Sequence, residues 1–460
     1  MTENQKSSPT PHRGRFAAMW ADMLNRAHNL PDPIKLVMIA TLIGLLAGMA
    51  AVALKALVGL LEHYFFKHLN AESANFRLLI YPLAGILLTS IYQRYITRQD
   101  CSGGTAIMKR KLMAGDYHYH TNTIFNSIIG CAMTIGFGAS AGTEGPVAYS
   151  GAAIGGKLSQ WLKISPEWTR LLIGIGAGAG IAGIFKAPLG GALFTLEVIQ
   201  MPMTTISVIA LVLACLMATG AAEAFSAFSI DLPISKLPTF EPSTLGWVVL
   251  LALICGFYSV YYSYTQRITK KFFMSIENPW AKNIISGVGL SLPLFLLPAL
   301  FGEGTSMIAT ILNERPLNLL AYGPFAYMDG TWVAMMIAAE GILIVKGAMV
   351  AAANNGGGVA GTFMPTLFAG CLLGYVFATC VNHWAGADLQ VWYFALVGMG
   401  AVMAGTLEAP LMGLFIAAET TGSFRYIPAY IIAVLIAYFV VILCKRNFRL
   451  TKVSDQAVEG

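Results

Sequence analysis

Polar and glycine-rich punctuation divides the chain into apolar stretches that fall into two groups. The first group lies around residues 34–62, 77–94, 121–138, 147–163, 168–185, 188–200 and 203–220. The second lies around 244–266, 282–300, 330–352, 364–383, 391–407, 409–420 and 426–444. Crossing a hydrocarbon core of about 30 Å takes roughly 20 helical residues, so several stretches are too short to span alone. Short apolar segments interrupted by Gly or Pro at matching places in two halves point to a binding site at the membrane midplane of a transporter.

The halves are related in sequence. Residues 176–197, GAGAGIAGIFKAPLGGALFTLE, align with residues 398–419, GMGAVMAGTLEAPLMGLFIAAE, with ten identities in 22 positions at an offset of 222. Upstream, Gly142-Thr-Glu-Gly-Pro146 falls opposite Gly361-Thr-Phe-Met-Pro365 after a three-residue shift. The organisation read from this is a polar segment over 1–33, a first membrane repeat over 34–222, a linker over 223–243, a second repeat over 244–445 and a tail over 446–460. Hydropathy alone leaves open whether the halves run parallel or inverted.

Composition places most of the chain in lipid. It is 56% hydrophobic and 11% charged, whereas a soluble domain carries roughly 25% charged residues. The 47 glycines suit closely packed helices, because small residues let backbones approach where lipid gives little hydrophobic drive. The first 34 residues are polar and lack the apolar core and small-residue cleavage site of a signal peptide. Lys and Arg flank both ends of the membrane region, so the positive-inside rule puts both termini in the cytoplasm. The net charge of +6 is accordingly a topology signal, and nucleic acid is not expected as a partner. The seven cysteines show no paired spacing and read as free, buried thiols.

Each Gly-x-x-x-Pro element joins a conformationally free residue to one suited to a helix's first turn. Such a turn aims unpaired N–H groups, with about half a positive charge of helix dipole, at whatever lies ahead, which is a site for an anion. Glu144 lies within the first element, and an ionisable group at membrane depth costs about 3 kcal/mol or more and marks an ion or proton path. Deprotonated, its carboxylate imitates the anion and closes the path; protonated, it lets go. The simpler alternatives are a packing kink for the Gly-Pro turns and a static cap for Glu144.

In these motifs the chain resembles the CLC family of chloride channels and proton/chloride exchangers, over about residues 34 to 450. Asp100-Cys-Ser-Gly-Gly-Thr105 is similar to the family's GSGIP, GTEGP to its G(K/R)EGP and GTFMP to its GxFxP, with the APL-containing helices and the ETTGSFRYIP run at 419–428 completing the order. The resemblance implies an all-α polytopic fold of two inverted-topology repeats of broken, tilted helices, and a homodimer with one pore per subunit. It implies that Ser102 and Gly103, Gly145, Thr362 and Phe363 hold chloride ions and that Glu144 is the external gate. Bound chloride is the only ligand expected; no cofactor or metal and no regulatory nucleotide domain are implied. A bacterial inner (plasma) membrane is the expected location.

Four departures from the family pattern, at five positions, stand out. Cys101 and Thr105 replace the first Gly and the Pro of GSGIP, leaving the turn geometry open. Thr143 replaces the basic residue beside the gate, so a fixed positive charge is missing from that mouth. A gapped alignment puts Phe448 at the anion-holding tyrosine, where its ring edge would wall the path; an ordinary apolar anchor is the alternative. Val198 stands where exchangers carry an inner proton-passing glutamate, which leaves the neighbouring Glu197 or transient water to carry protons. The recurrence of Glu197 as Glu419 also fits a shared structural role.

Three transport functions follow: chloride/proton exchange gated by Glu144, a passive anion channel favoured by Val198 and Thr143, and fluoride/proton exchange. Retention of Ser102 favours chloride. An intramembrane enzyme is not expected, since no HExxH, GxSxG or GxGD-like pair accompanies the glutamates. Among lesser candidates, His118 and His120 read as part of a solvated loop, Asn354 and Asn355 as turn residues, and Glu340 and Lys346 as snorkelling or paired end groups.

Overall fold

The structure is a computed structural model that describes residues 31–202, 204–225, 242–315, 317–328 and 331–448. The N-terminal segment up to residue 30, the inter-repeat linker over 226–241 and the tail beyond 448 lie outside the described residues.

The described chain is helical. The first half holds α1 (Asp32–Phe66), α2 (Tyr81–Ile91), α3 (Gly104–Met113), α4 (Thr121–Gly136), α5 (Glu144–Trp161), α6 (Pro166–Phe185), the short α7 (Pro188–Leu193) and α8 (Thr205–Ala224). The second holds α9 (Leu245–Met274), α10 (Pro279–Leu296), α11 (Thr305–Leu312), α12 (Trp332–Asn355), α13 (Phe363–Ala385), α14 (Val391–Leu407), α15 (Pro410–Thr421) and α16 (Ile427–Phe448). Among the described residues, eight helical segments are long and apolar enough to cross a membrane. The two APL helices are short, as the hydropathy pattern predicts.

The duplication is visible in the backbone. Lys186 closes α6 and Glu408 closes α14, both in the left-handed region at φ 52° and 55°. Ala187 and Ala409 follow in nearly the same conformation, with φ −126° and −127° and ψ 85° and 79°, and a proline then starts the next helix. Because proline lacks an N–H and fixes φ, it restarts the chain at a new angle where it could not continue the old one. The sequences FKAPL and LEAPL thus write the same break twice.

The packing repeats as well. On α5, a Cβ at Gly151 would strike the Gly176 carbonyl of α6, and one at Gly155 would strike the Leu172 carbonyl. On α13, Gly370 and Gly374 meet the carbonyls of Gly398 and Phe394 on α14 in the same way. Backbone-to-backbone approach of this kind is available only to glycine. It draws α5, α6, α13 and α14 into the centre. In α6 83% of the apolar window is buried, against 39% in α9 and in the Phe424–Arg446 segment, which therefore lie at the periphery with their apolar side chains facing outward.

Candidate functional site

The two Gly-x-x-x-Pro loops touch. Gly142 and Gly361 form an isolated antiparallel bridge, the Gly142 N–H donating to the Gly361 carbonyl at 3.0 Å and the Gly361 N–H donating back. Two residues beyond the bridge on either side, α5 begins at Glu144 and α13 at Phe363. Two helix N-termini from different repeats are thereby brought to one point inside the protein, which concentrates their unpaired donors.

The Glu144 side chain is 1% exposed. Its Oε1 accepts the N–H of Met364 in the first turn of α13, while Oε2 is buried with no partner. The carboxylate folds back over the bridge, where a Cβ on Gly142 or Gly361 would collide with it. Glycine at both positions is therefore what makes room for the Glu144 side chain.

Directly beside it is a group the sequence reading missed. Glu303, 5% exposed, accepts the Thr143 N–H through Oε1 at 2.9 Å and pairs with Lys55 of α1 through Oε2. The Thr305 hydroxyl also donates to Oε2, at 3.4 Å. Lys55, Thr143, Glu144, Glu303 and Met364 line one cavity of about 300 Å³. Thr143 does remove the cation from the motif, but Lys55 restores one in space. The available signals were a lysine in the middle of an apolar stretch and a glutamate between glycines in FGEG.

On the other side of the bridge lies a larger cavity of about 1070 Å³ lined by Ser102, Gly103 and Thr362. Its walls carry Arg94, Arg98, Arg110, Lys270, Lys271 and Lys282 against the acid Asp100. The turn that displays Ser102 forms despite the missing Gly and Pro, since Gly103 takes φ 65° before α3 begins. Gln93 fixes that turn: its Oε1 accepts the Cys101 N–H at 3.3 Å and the Ser102 hydroxyl at 3.4 Å, and its Nε2 donates to the Gly357 carbonyl at 3.3 Å. Asn354 lines the same cavity with its Oδ1 unpartnered, whereas Asn355 donates to the Ala351 carbonyl at 2.7 Å.

Gly145 packs against Ala360 and Gly361 at the bridge. Phe363 is buried, its ring 5.6 Å from that of Phe194. The side chain of Phe448 lies outside the described residues. Glu197 is not at the bridge: it accepts the N–H groups of Leu411 and Met412 at 3.1 and 2.8 Å. Glu419 returns the relation, accepting from Leu189 and Gly190 at 3.0 and 2.8 Å. Each repeat's conserved-in-duplication glutamate caps the APL helix of the other repeat.

Lys346 corrects an expectation. It is not an end group but fully buried in α12, donating to the Ser140 hydroxyl at 2.7 Å with its ammonium 4.6 Å from the centre of the Phe368 ring. A hydrogen bond and a ring face replace the water that a snorkelling lysine would seek. Among the described residues no group of three or more metal-ligating side chains is assembled, and all seven cysteines are free.

Residues 84–441 match the family described as voltage gated chloride channel. The chain belongs to this CLC family. The CLC chain is 26% identical over 423 residues to the voltage-gated ClC-type chloride channel ClcB of Citrobacter koseri, covering 87% of this chain and 94% of that one. It is 28% identical over 310 residues to the H(+)/Cl(-) exchange transporter ClcA of Vibrio cholerae, covering 65% of this chain and 62% of that one. The structure of a slow cyanobacterial Cl-/H+ antiporter superposes with a TM-score of 0.74 at 20% identity, covering 92% of this chain and all of that one. The fold is accordingly the CLC fold of two inverted repeats, in a multi-pass integral membrane protein.

Proposed function

We propose that this CLC chain exchanges chloride for protons, with Glu144 as the carboxylate that closes the anion path. The observation that carries this reading is the bond from the Met364 N–H to Glu144. The carboxylate occupies a donor at a helix N-terminus between two cavities, the place where a passing anion would be held. An ionised Glu144 and a chloride ion compete for that donor. Protonation removes the side chain's charge and yields the donor to chloride, so anion entry is tied to proton uptake.

The basic cavity with Ser102, Gly103 and Thr362 is the chloride-collecting vestibule, with Gly145 and Phe363 between it and the gate. We place it on the cytoplasmic side with both termini, by the positive-inside rule. Lys55 lies 23 residues along α1 from Asp32, a rise of about 34 Å, which puts the Glu144 cavity toward the opposite face. A second copy of the chain is the proposed partner, packing on the exposed apolar faces of α8 and α16, where Ile206, Ile209, Leu435 and Phe439 point outward.

Proton uptake into liposomes, driven only by a chloride gradient at clamped voltage, tests the exchange. Uphill proton movement supports it. Chloride flux without proton movement favours the second reading, a passive anion channel, which rests on a specific observation. Val198 cannot carry a proton and the carboxylate of Glu197 is engaged as a cap, so the proton route from the vestibule must then run through water or not exist.

A further inference from the structure

The Glu144 bond to Met364 leaves the N-terminus of α5 to be accounted for. The Thr143 N–H immediately ahead of α5 is taken by Glu303, so each of the two helix N-termini at the bridge holds a glutamate carboxylate. The two carboxylates differ in their surroundings. Glu144 has one oxygen without a partner. Glu303 is held on three sides, by the Thr143 N–H, the Lys55 ammonium and the Thr305 hydroxyl. This is the coordination that a small anion would take from a backbone amide, a cation and a hydroxyl.

We propose that Lys55, the Thr143 N–H and the Thr305 hydroxyl form an outer anion-binding site that Glu303 fills in this structure, and that an incoming anion enters by displacing it. The proposal rests on the reading of the Glu144 region as an anion path. Three observations carry it. The site opens to the same 300 Å³ cavity as Glu144, so an anion bound there is next in line for the gate. Glu303 also lines a second cavity of about 580 Å³, with Glu62, His63 and Ser306 in its wall, which gives the displaced carboxylate somewhere to go. Finally, Lys55 belongs to α1 and Glu303 to the loop before α11, so the pair comes from outside the duplicated motifs. A displaceable internal carboxylate keeps the cation from standing bare when no anion is present, since an unpaired buried charge is costly.

The test uses the purified full-length protein, the variants Glu303→Gln and Lys55→Met/Glu303→Gln, and chloride as the probe. The Gln side chain can still accept the Thr143 N–H but no longer neutralises Lys55. Isothermal titration with chloride is expected to show affinity higher by about fivefold or more in Glu303→Gln, the scale of coupling between two ligands that exclude one another. The gain should disappear in the double variant, and the external chloride concentration giving half-maximal flux in liposomes should move the same way. Unchanged chloride affinity and half-saturation in Glu303→Gln, with flux present, overturn the outer site and leave the Glu144 reading standing. A gain that persists in the double variant overturns the role of Lys55. Absence of chloride binding and flux in the wild-type protein overturns both.

Discussion

The carboxylate of Glu144 rests on the N–H of Met364, 220 residues away in the chain and in the other repeat. Sequence places these groups in separate motifs; the Gly142–Gly361 bridge places them together. The gate proposed here is thus a contact between repeats, and what disturbs the bridge should disturb gating.

Gly361→Ala tests that link. Its methyl would enter the space of the Glu144 carboxylate, so the side chain should lose its hold on Met364. Chloride flux should rise or become insensitive to pH, and the ratio of protons to chloride should fall. Normal coupling in a folded Gly361→Ala protein would show that the carboxylate need not fold over the bridge.

Glu197→Gln separates a cap from a proton relay. Losing the charge at the α15 N-terminus should lower stability by about 0.5–2 kcal/mol, read as a fall in Tm, with the proton-to-chloride ratio unchanged. Glu419→Gln should behave alike because it makes the reciprocal contact. Loss of proton transport in Glu197→Gln alone would identify a relay.

The basic vestibule should act through long-range electrostatics. Neutralising Lys270 and Lys271 together should slow chloride flux at low ionic strength, with the difference shrinking as salt screens the walls to a Debye length of about 8–10 Å. Equal slowing at all ionic strengths would point to a local structural role.

Gly151→Ala and Gly370→Ala should both destabilise, by about 1–3 kcal/mol or more, because each methyl meets a backbone carbonyl that cannot swing aside. Thermal unfolding in detergent reads the effect. A neutral outcome at either position would mean that the helices can separate without loss.

Much of this architecture was legible in the chain. The duplicated AGxxxAPL segments and the Gly-xxx-Pro turns recur as matched helix breaks because glycine and proline act locally, on φ and on the N–H ladder. The recurrence of Glu197 as Glu419 hinted at a shared structural role, and the reciprocal caps are that role. Glu303, Lys55, Gln93 and Lys346 were not legible as site residues. Lys55, Glu303 and Lys346 are isolated polar residues whose partners lie on distant elements: Lys55 and Glu303 are 248 residues apart, Lys346 and Ser140 are 206; Gln93 sits in a polar run and ties the nearby Cys101 to the distant Gly357. No periodicity or motif carries such a pairing; only the folded arrangement of the two repeats does.

That one carboxylate links anion and proton movement is best tested by simultaneous recording of chloride and proton flux in liposomes, for the wild-type protein and Glu144→Gln. The wild type should carry both fluxes in fixed ratio, and Glu144→Gln should carry chloride independently of pH with no proton movement. Proton movement that survives unaltered in Glu144→Gln would contradict it.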